Sequence, residues 1–313
     1  MERVLVTGAR GFIGSQLCRK LAVSGVELHA VSRQPPADLP AWWQSIGGDT
    51  SDAAGAAAIH WWNVDLVDLQ ATRELIRTIL PDKIYHLASL VTGSRSLEVV
   101  LPILQNNFTT AFNLLLASAQ NGAGRIVLAG SLEEPDDLDP VPCSPYAAAK
   151  GAASGYARLF GALYQTEVVT AKIAMVYGPG QMDLTKFVPY VTTAFLRGER
   201  PKLSSGIRLV DWICVDDVVD GLVACGHASG ASSRSVDLGS GEMCSIREIV
   251  QQLRGLIADA PEALFGAVPD RPLERLMKAD VSASYKLVGW SPSTTLQAGL
   301  RRTVDWYKSR SAA

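Results

Sequence analysis

Val4-Leu5-Val6-Thr7-Gly8-Ala9-Arg10-Gly11-Phe12-Ile13-Gly14 is the stretch that decides the fold. A short apolar strand runs into three glycines, each three residues after the last. Apolar residues at helical spacing then run from Phe12 to Val23, and Gly25 can end that helix. Glu27 to Val31 reads as the next strand, so the chain opens as a βαβ unit. In such a unit the first glycine permits a tight turn, the second lets a pyrophosphate approach the backbone, and the third lets the helix pack closely. The helix N-terminus then offers free N–H groups and the positive end of its dipole to phosphates. Gly8, Gly11 and Gly14, with Arg10, Phe12 and Ile13, are therefore candidate dinucleotide-binding residues. A purely structural turn is the alternative.

Outward from this unit, strands and helices keep alternating. Residues 34–58, rich in Pro, Gly, Ala, Ser and Asp and carrying Trp42-Trp43, read as a long surface excursion, partly helical. Strands are expected at Ile59–Val64, Lys83–Leu87, Arg125–Ala129 and Val168–Met175. Helices are expected over 69–79, 98–121 and Pro145–Tyr164. This alternation predicts an α/β fold with a doubly wound parallel sheet. After Val176 the pattern changes to clustered Gly and Pro, with a strand at Val210–Val215, a helix at Asp216–Ala224 and a strand at Arg234–Leu238. We expect residues 1–175 to form the dinucleotide-binding domain, with a returning segment near 207–236. Residues 176–313 would be mainly a smaller mixed substrate lobe.

The bulk properties exclude several classes. The chain has 313 residues, 48% hydrophobic and 19% charged, too apolar for disorder. A formal charge of −2 argues against a nucleic-acid or anionic-membrane binder. No apolar run reaches the ~20 residues of a membrane span, and the N-terminus does not read as a signal peptide. Five cysteines (Cys18, Cys143, Cys214, Cys225, Cys244) lack the spacing of a zinc site or redox dithiol, which predicts reduced thiols, a cytoplasmic location and no metal. His29, His60, His86 and His227 stand apart and read as structural, and Trp42-Trp43 and Trp61-Trp62 as packing residues.

The end of the second strand selects the cofactor. A carboxylate there holds a free ribose diol and repels a 2′-phosphate. This chain has Ser32-Arg33 instead, and Arg10 in the glycine turn is expected on the same side. A guanidinium pairs with a phosphate, so NADP(H) is preferred, with NAD(H) possible. Asp65, next to Leu66, can accept from an adenine amino group or cap the helix over 69–79.

Tyr146-Ala-Ala-Ala-Lys150 places a phenol and an ammonium at i and i+4 on one helical face. A free tyrosine titrates near ~10, too high for acid–base work at neutral pH. A nearby ammonium and an oxidised nicotinamide ring both favour the phenolate. Ser131 follows the fifth strand, so it lies at the same sheet edge and its hydroxyl can bond a reacting oxygen.

These motifs together resemble the extended short-chain dehydrogenases/reductases of the sugar-nucleotide epimerase/dehydratase/reductase group, built on a Rossmann sheet. The resemblance runs nearly end to end. It rests on TGARGFIG, on His86-Leu87-Ala88 beside the cofactor, on Asn107 in the long helix and on Val176-Tyr177-Gly178-Pro179-Gly180. Asp216-Asp217, Gly239-Ser240-Gly241 and Gly289-Trp290-Ser291-Pro292 resemble later landmarks. By that similarity Ser131, Tyr146 and Lys150 are catalytic, a nucleotide sugar is the substrate, and Leu87 and Ala88 line the cofactor. Tyr146 would exchange a proton with a sugar oxygen while the nicotinamide exchanges a hydride with its carbon. The resemblance also implies a homodimer through a four-helix interface, which the small residues of the Tyr146–Tyr164 segment would permit.

Three reactions compete: reduction of a 4-keto-6-deoxy sugar, C4 epimerisation with tightly bound NAD, and 4,6-dehydration. Similar dehydratases carry Asp-Glu after the triad hydroxyl. Here Leu132-Glu133 stands there, and leucine transfers no proton. Ser32-Arg33 tilts the expectation to NADPH-dependent reduction, with the epimerase as the alternative. A dinucleotide-sensing module without catalysis is a further class, disfavoured by the intact Ser131, Tyr146 and Lys150. Departures gather at the substrate's nucleotide end. Val210 stands where the family has arginine, Lys172 replaces an arginine and Met175 an asparagine. Arg208 and Arg271 are the candidate diphosphate residues, and Asn107 and Glu133 further substrate candidates. Glu133-Glu134 and Asp136-Asp137 otherwise read as a solvated loop.

Overall fold

A computed structural model describes residues 1–46, 56, 58–135 and 141–311; Asp136 and Asp137 lie outside them. The chain runs β1 (Arg3–Thr7), α1 (Phe12–Ala22), β2 (Glu27–Val31), α2 (Leu39–Ser45), β3 (Ile59–Trp62), α3 (Leu69–Ile79) and β4 (Lys83–His86). Then come α4 (Leu97–Asn121), β5 (Arg125–Ser131), α5 (Pro145–Tyr164), β6 (Val168–Ile173), β7 (Met175–Tyr177) and α6 (Phe187–Leu196). The last third holds β8 (Leu209–Cys214), α7 (Val215–His227), β9 (Ser235–Leu238), β10 (Met243–Ser245), α8 (Ile246–Gly255), α9 (Val281–Val288) and α10 (Leu296–Ser311).

Seven strands form a parallel sheet in the order β3-β2-β1-β4-β5-β6-β9. Side chains alternate between its faces. Val4, Val6, Val127 and Ala129 enter the core shared with α1 and α7, whereas Leu5, Ile126 and Leu128 enter the core shared with α3, α4 and α5. Strand order reverses between β1 and β4, and ligands of open α/β sheets bind at such a switch point, beyond the carboxyl ends of the strands. Trp42 and Trp43 are buried in the first of these cores.

Sequence supplies the caps that start the helices. The Asp68 side chain accepts from Gln70 and Ala71 N–H to start α3. Ser144 accepts from Ala147 N–H, ahead of a proline in the first turn, to start α5. α4 is less regular. It opens with a 3₁₀ turn, passes through a π-turn at Leu104–Thr109, and becomes a regular helix from Thr110. By length and hydropathy alone it could cross a membrane. Here its Leu114 and Leu115 pack in the core and its Asn113 donates to the Leu66 and Val67 carbonyls, which ties it into the globular fold.

Two expectations are corrected. The apolar run 168–175 is not one strand. Pairing of β6 with β9 ends where Ala174 N–H donates to the Leu238 carbonyl. Beyond that point the chain finds new partners as β7, parallel to β8, which pairs antiparallel with β10. For the same reason the segment near 207–236 does not return as a block. β8 belongs to this smaller sheet, while α7 packs on the large sheet and β9 joins it. A third core fills the space between the small sheet and α6, α8 and α10, with Trp212, Phe195, Ile249 and Leu300.

Two buried aspartates hold the late landmarks in place. Asp211 accepts from the N–H groups of Ser240, Gly241 and Ala279 and from the Ser240 hydroxyl. Asp217 accepts from Ser293 N–H and O–H and from Thr294 N–H.

Candidate active site

The switch-point crevice begins at Gly8. Its φ is +68°, and a Cβ there would lie 2.6 Å from the Ala88 backbone nitrogen. At Gly14 a side chain would collide with the Gly8 carbonyl. Both glycines therefore bring β1, α1 and the Leu87-Ala88 segment to contact distance. Gly11 is the N-cap of α1 and no side chain caps that end. An uncapped helix start in a cradle without side chains fits a dinucleotide pyrophosphate. Ser32 and Arg10 converge at the end of β2: Arg10 Nη1 donates to the Gln34 carbonyl at 2.5 Å, as does the Ser32 hydroxyl at 3.2 Å. Arg33 is exposed beside them. Asp68 caps α3, so Asp65 is not the cap; it is exposed and holds Val67 N–H at 3.1 Å. Leu66 is buried, and its carbonyl accepts from Thr72 and Asn113.

The second half of the crevice assembles Ser131, Tyr146 and Lys150. Ser131 ends β5, and its Oγ accepts from Glu133 N–H at 3.1 Å. Tyr146 stands in the first turn of α5, and the hydroxyls of Ser131 and Ser89 favour its phenolate form. The Ser89 hydroxyl donates to Asn107 Oδ1 at 2.9 Å. Lys150, one turn along α5, is 3% exposed; its Nζ donates to the Ala129 carbonyl at 2.8 Å and lies 5.8 Å from the Tyr146 ring centroid.

The electrostatics depart from expectation. Burial, then the carboxylates of Glu133 and Glu134, hold the Tyr146 phenol above its ordinary value. Burial lowers Lys150 to about 8, with Glu134 opposing. The ammonium alone therefore does not make Tyr146 acidic, because burial disfavours the phenolate and two carboxylates add to that. His86 is buried between Thr7 and Thr110 and falls to about 3, from burial first and then the Lys150 charge, so it is a neutral structural residue.

The acidic pair after Ser131 is not a solvated loop. Glu134 is 2% exposed, and Glu133 is half-buried with Arg208 Nη2 at 3.5 Å. The two look like surface residues in sequence, but the end of β5 turns them under α5. Asn107 is likewise committed elsewhere. It is buried in the π-turn of α4, where Oδ1 accepts from Ser89 O–H and Leu90 N–H and Nδ2 donates to the Leu90 carbonyl. It therefore holds the loop after β4. Arg208 is not an ordinary surface arginine: it bridges Glu133 to Glu274, the latter at 2.9 Å. Arg271 is exposed, with its guanidinium against Gly93 of the same loop. Ser89 and Glu134 are the residues that sequence reasoning missed; only their nearness to His86-Leu87-Ala88 and to Ser131 signals them.

Among the described residues no His/Cys/Asp/Glu group could hold a metal, and the five cysteines are free. A crevice of about 540 Å³ lies at the opposite edge of the sheet, lined by Lys83, Arg125, Glu167 and His227. Glu2 and Glu167 already pair with its cations, and the residues of the switch point are far from it in the fold.

The sheet order, glycine cradle and Ser-Tyr-Lys cluster define a dinucleotide-binding α/β enzyme class. Residues 4–239 match the family model described as the NAD dependent epimerase/dehydratase family, and the chain belongs to that family. It is 28% identical over 333 residues to a UDP-glucose 4-epimerase of Mycolicibacterium smegmatis, covering 99% of each chain. It is 29% identical over 322 residues to a dTDP-glucose 4,6-dehydratase of Streptomyces griseus, covering 97% of this chain and 93% of that one. Among solved structures, MoeE5 in complex with UDP-glucose and NAD superposes with a TM-score of 0.83 at 30% identity, covering 99% and 100% of the two chains.

Proposed function

We propose that the protein interconverts a nucleoside diphosphate hexose and its C4 epimer, with NAD as a resident cofactor and a UDP-hexose as the substrate class. The observation that carries this is the gathering of Ser131, Tyr146 and Lys150 at the end of β5 and the start of α5, with Leu132 and not an acid after Ser131. End-to-end similarity to a UDP-glucose 4-epimerase supports the same reaction, and Leu132 argues against dehydration. The nearness of MoeE5 bound to NAD supports the cofactor.

When bound, the dinucleotide supplies a hydride acceptor and donor. Gly8, Gly11, Gly14 and the first N–H groups of α1, Phe12 and Ile13 among them, would hold its pyrophosphate; Arg10, Ser32, Arg33, Asp65 and Leu66 would face its adenosine half, and Leu87 and Ala88 its ring. Tyr146 takes the proton of the C4 hydroxyl and later returns it. Ser131, its Oγ already accepting from Glu133 N–H, directs its own proton to the reacting oxygen. Lys150 stabilises the phenolate by its charge. Glu133, Arg208 and Arg271 would flank the sugar and diphosphate.

A second reading, NADPH-dependent reduction of a nucleotide-linked 4-keto-6-deoxy sugar, is favoured by Ser32-Arg33 standing where NAD enzymes carry a carboxylate. Cofactor stoichiometry separates the two. An epimerase turns over many UDP-hexoses per NAD and leaves it oxidised; a reductase consumes one NADPH per product. A module that only senses the dinucleotide does neither. The exposed apolar side chains of α4 and α5, Leu101, Leu104, Leu159 and Leu163, support a homodimer, and the free cysteines fit a cytoplasmic location.

A further inference from the structure

Glu134 is a buried carboxylate that the reaction as written does not use. Burying a carboxylate is costly unless it is paired and hydrogen-bonded, and the surroundings of this one are built to meet that need. Ser131 N–H donates to Oε1 at 2.7 Å, and the Ser154 hydroxyl of α5 donates to Oε2 at 2.6 Å. A Cβ at Gly130 would lie 2.6 Å from Oε1, so β5 carries no side chain where the carboxylate sits. Lys172 of β6 and Lys150 of α5 are the cations that face it.

Lys150 has the complementary problem. Its Nζ is buried and donates to a neutral carbonyl, Ala129, two residues before Ser131. A buried ammonium without a counter-charge loses its proton readily. The other groups around the pair do not supply that charge: His86 on β4 is neutral, and Glu133 faces Tyr146 and is paired with Arg208.

We propose that Glu134 is a positioning residue: it fixes Ser131 through the backbone and is the fixed negative charge that keeps Lys150 an ammonium beside Tyr146. The role rests on the reading of Ser131, Tyr146 and Lys150 as the reacting triad, but its physical content can be tested without turnover.

Glu134→Gln keeps the shape and both hydrogen-bond positions, because the amide oxygen accepts from Ser131 N–H and the amide nitrogen donates to Ser154. Only the charge is lost. The Lys150 Cε resonance, followed in ¹³C-lysine-labelled protein and assigned by its loss in Lys150→Met, should titrate near 8 in the wild type. In Glu134→Gln its midpoint should fall by about one unit or more, whereas Ser154→Ala, which keeps the charge, should move it by less than about 0.3. In the wild type the same resonance should carry a second, acidic inflection as Glu134 takes up a proton. An unmoved midpoint in folded Glu134→Gln overturns the proposal. So does a wild-type resonance without the acidic inflection, which decides the matter if the variant does not fold. The pH profile of turnover should shift to lower pH in Glu134→Gln, since removing a negative charge lowers both Lys150 and Tyr146. If the Lys150 midpoint moves but no epimerisation is found, Glu134 keeps its role and the reaction assigned to the site is wrong.

Discussion

Tyr146 and Gly14 test the two halves of the crevice by single atoms. Tyr146→Phe keeps the ring and removes the hydroxyl that would exchange the proton. Turnover should fall by ~10²–10⁴-fold, the usual range for a positioned acid–base group. Calorimetry should find UDP-hexose binding little changed, and a parallel loss of binding would move Tyr146 from proton transfer to substrate recognition. Gly14→Ala drives a methyl against the Gly8 carbonyl. We expect ~1–3 kcal/mol of lost stability in denaturant titration and weaker dinucleotide quenching of tryptophan fluorescence. Ser131, Tyr146 and Lys150 were legible because strand-end and i, i+4 positions follow from local geometry alone. Glu134 and Ser89 were not: two adjacent acids look like a solvated turn until the fold closes α5 over them, and a lone serine carries no pattern. Burial of the Tyr146 phenol, and then the two carboxylates beside it, come from a tertiary closure that no local rule reveals.

Elements show the same division. β1, α1 and β2 were readable from glycine spacing and helical period, since each is specified within about a dozen residues. The switch of the chain between sheets at Ala174 was not, because an apolar run looks the same whichever partner strand it meets. The π-turn of α4 was also hidden; it presents Asn107 to Ser89 and Leu90, a tertiary demand. The late landmarks were visible as motifs, but their purpose appears only in the structure, where Asp211 and Asp217 gather them. Asp217→Ala should leave Ser293 and Thr294 N–H groups unpaired and cost ~1–3 kcal/mol. Thermal unfolding should show this as a lower Tm. An unchanged Tm would mean water replaces the carboxylate.

At the scale of the molecule, the buried histidine sets a pH dependence. Burial, and then the Lys150 charge, lower His86 to about 3, below the ordinary histidine value of 6.5. The unfolded chain therefore binds the proton more readily, so His86 contributes no penalty above about 6.5 and costs stability increasingly as pH falls from 6.5 toward 3. Wild type should lose more Tm between about pH 7 and pH 5 than His86→Asn, and equal losses would assign the acid sensitivity elsewhere. Light scattering should give twice the mass of one chain, and Leu104→Glu with Leu163→Glu should return a folded monomer; a monomeric wild type would reject the α4–α5 interface. The central claim is that the Ser131–Tyr146–Lys150 cluster runs a reversible redox exchange at C4 of a nucleotide sugar. Proton NMR of the anomeric signals, with UDP-glucose, a trace of NAD and either wild type or Tyr146→Phe, tests it most directly. UDP-galactose should grow in to equilibrium with wild type and not with the variant. No UDP-galactose from folded, NAD-loaded protein, with NADPH consumed one-for-one on a 4-keto sugar, would contradict it.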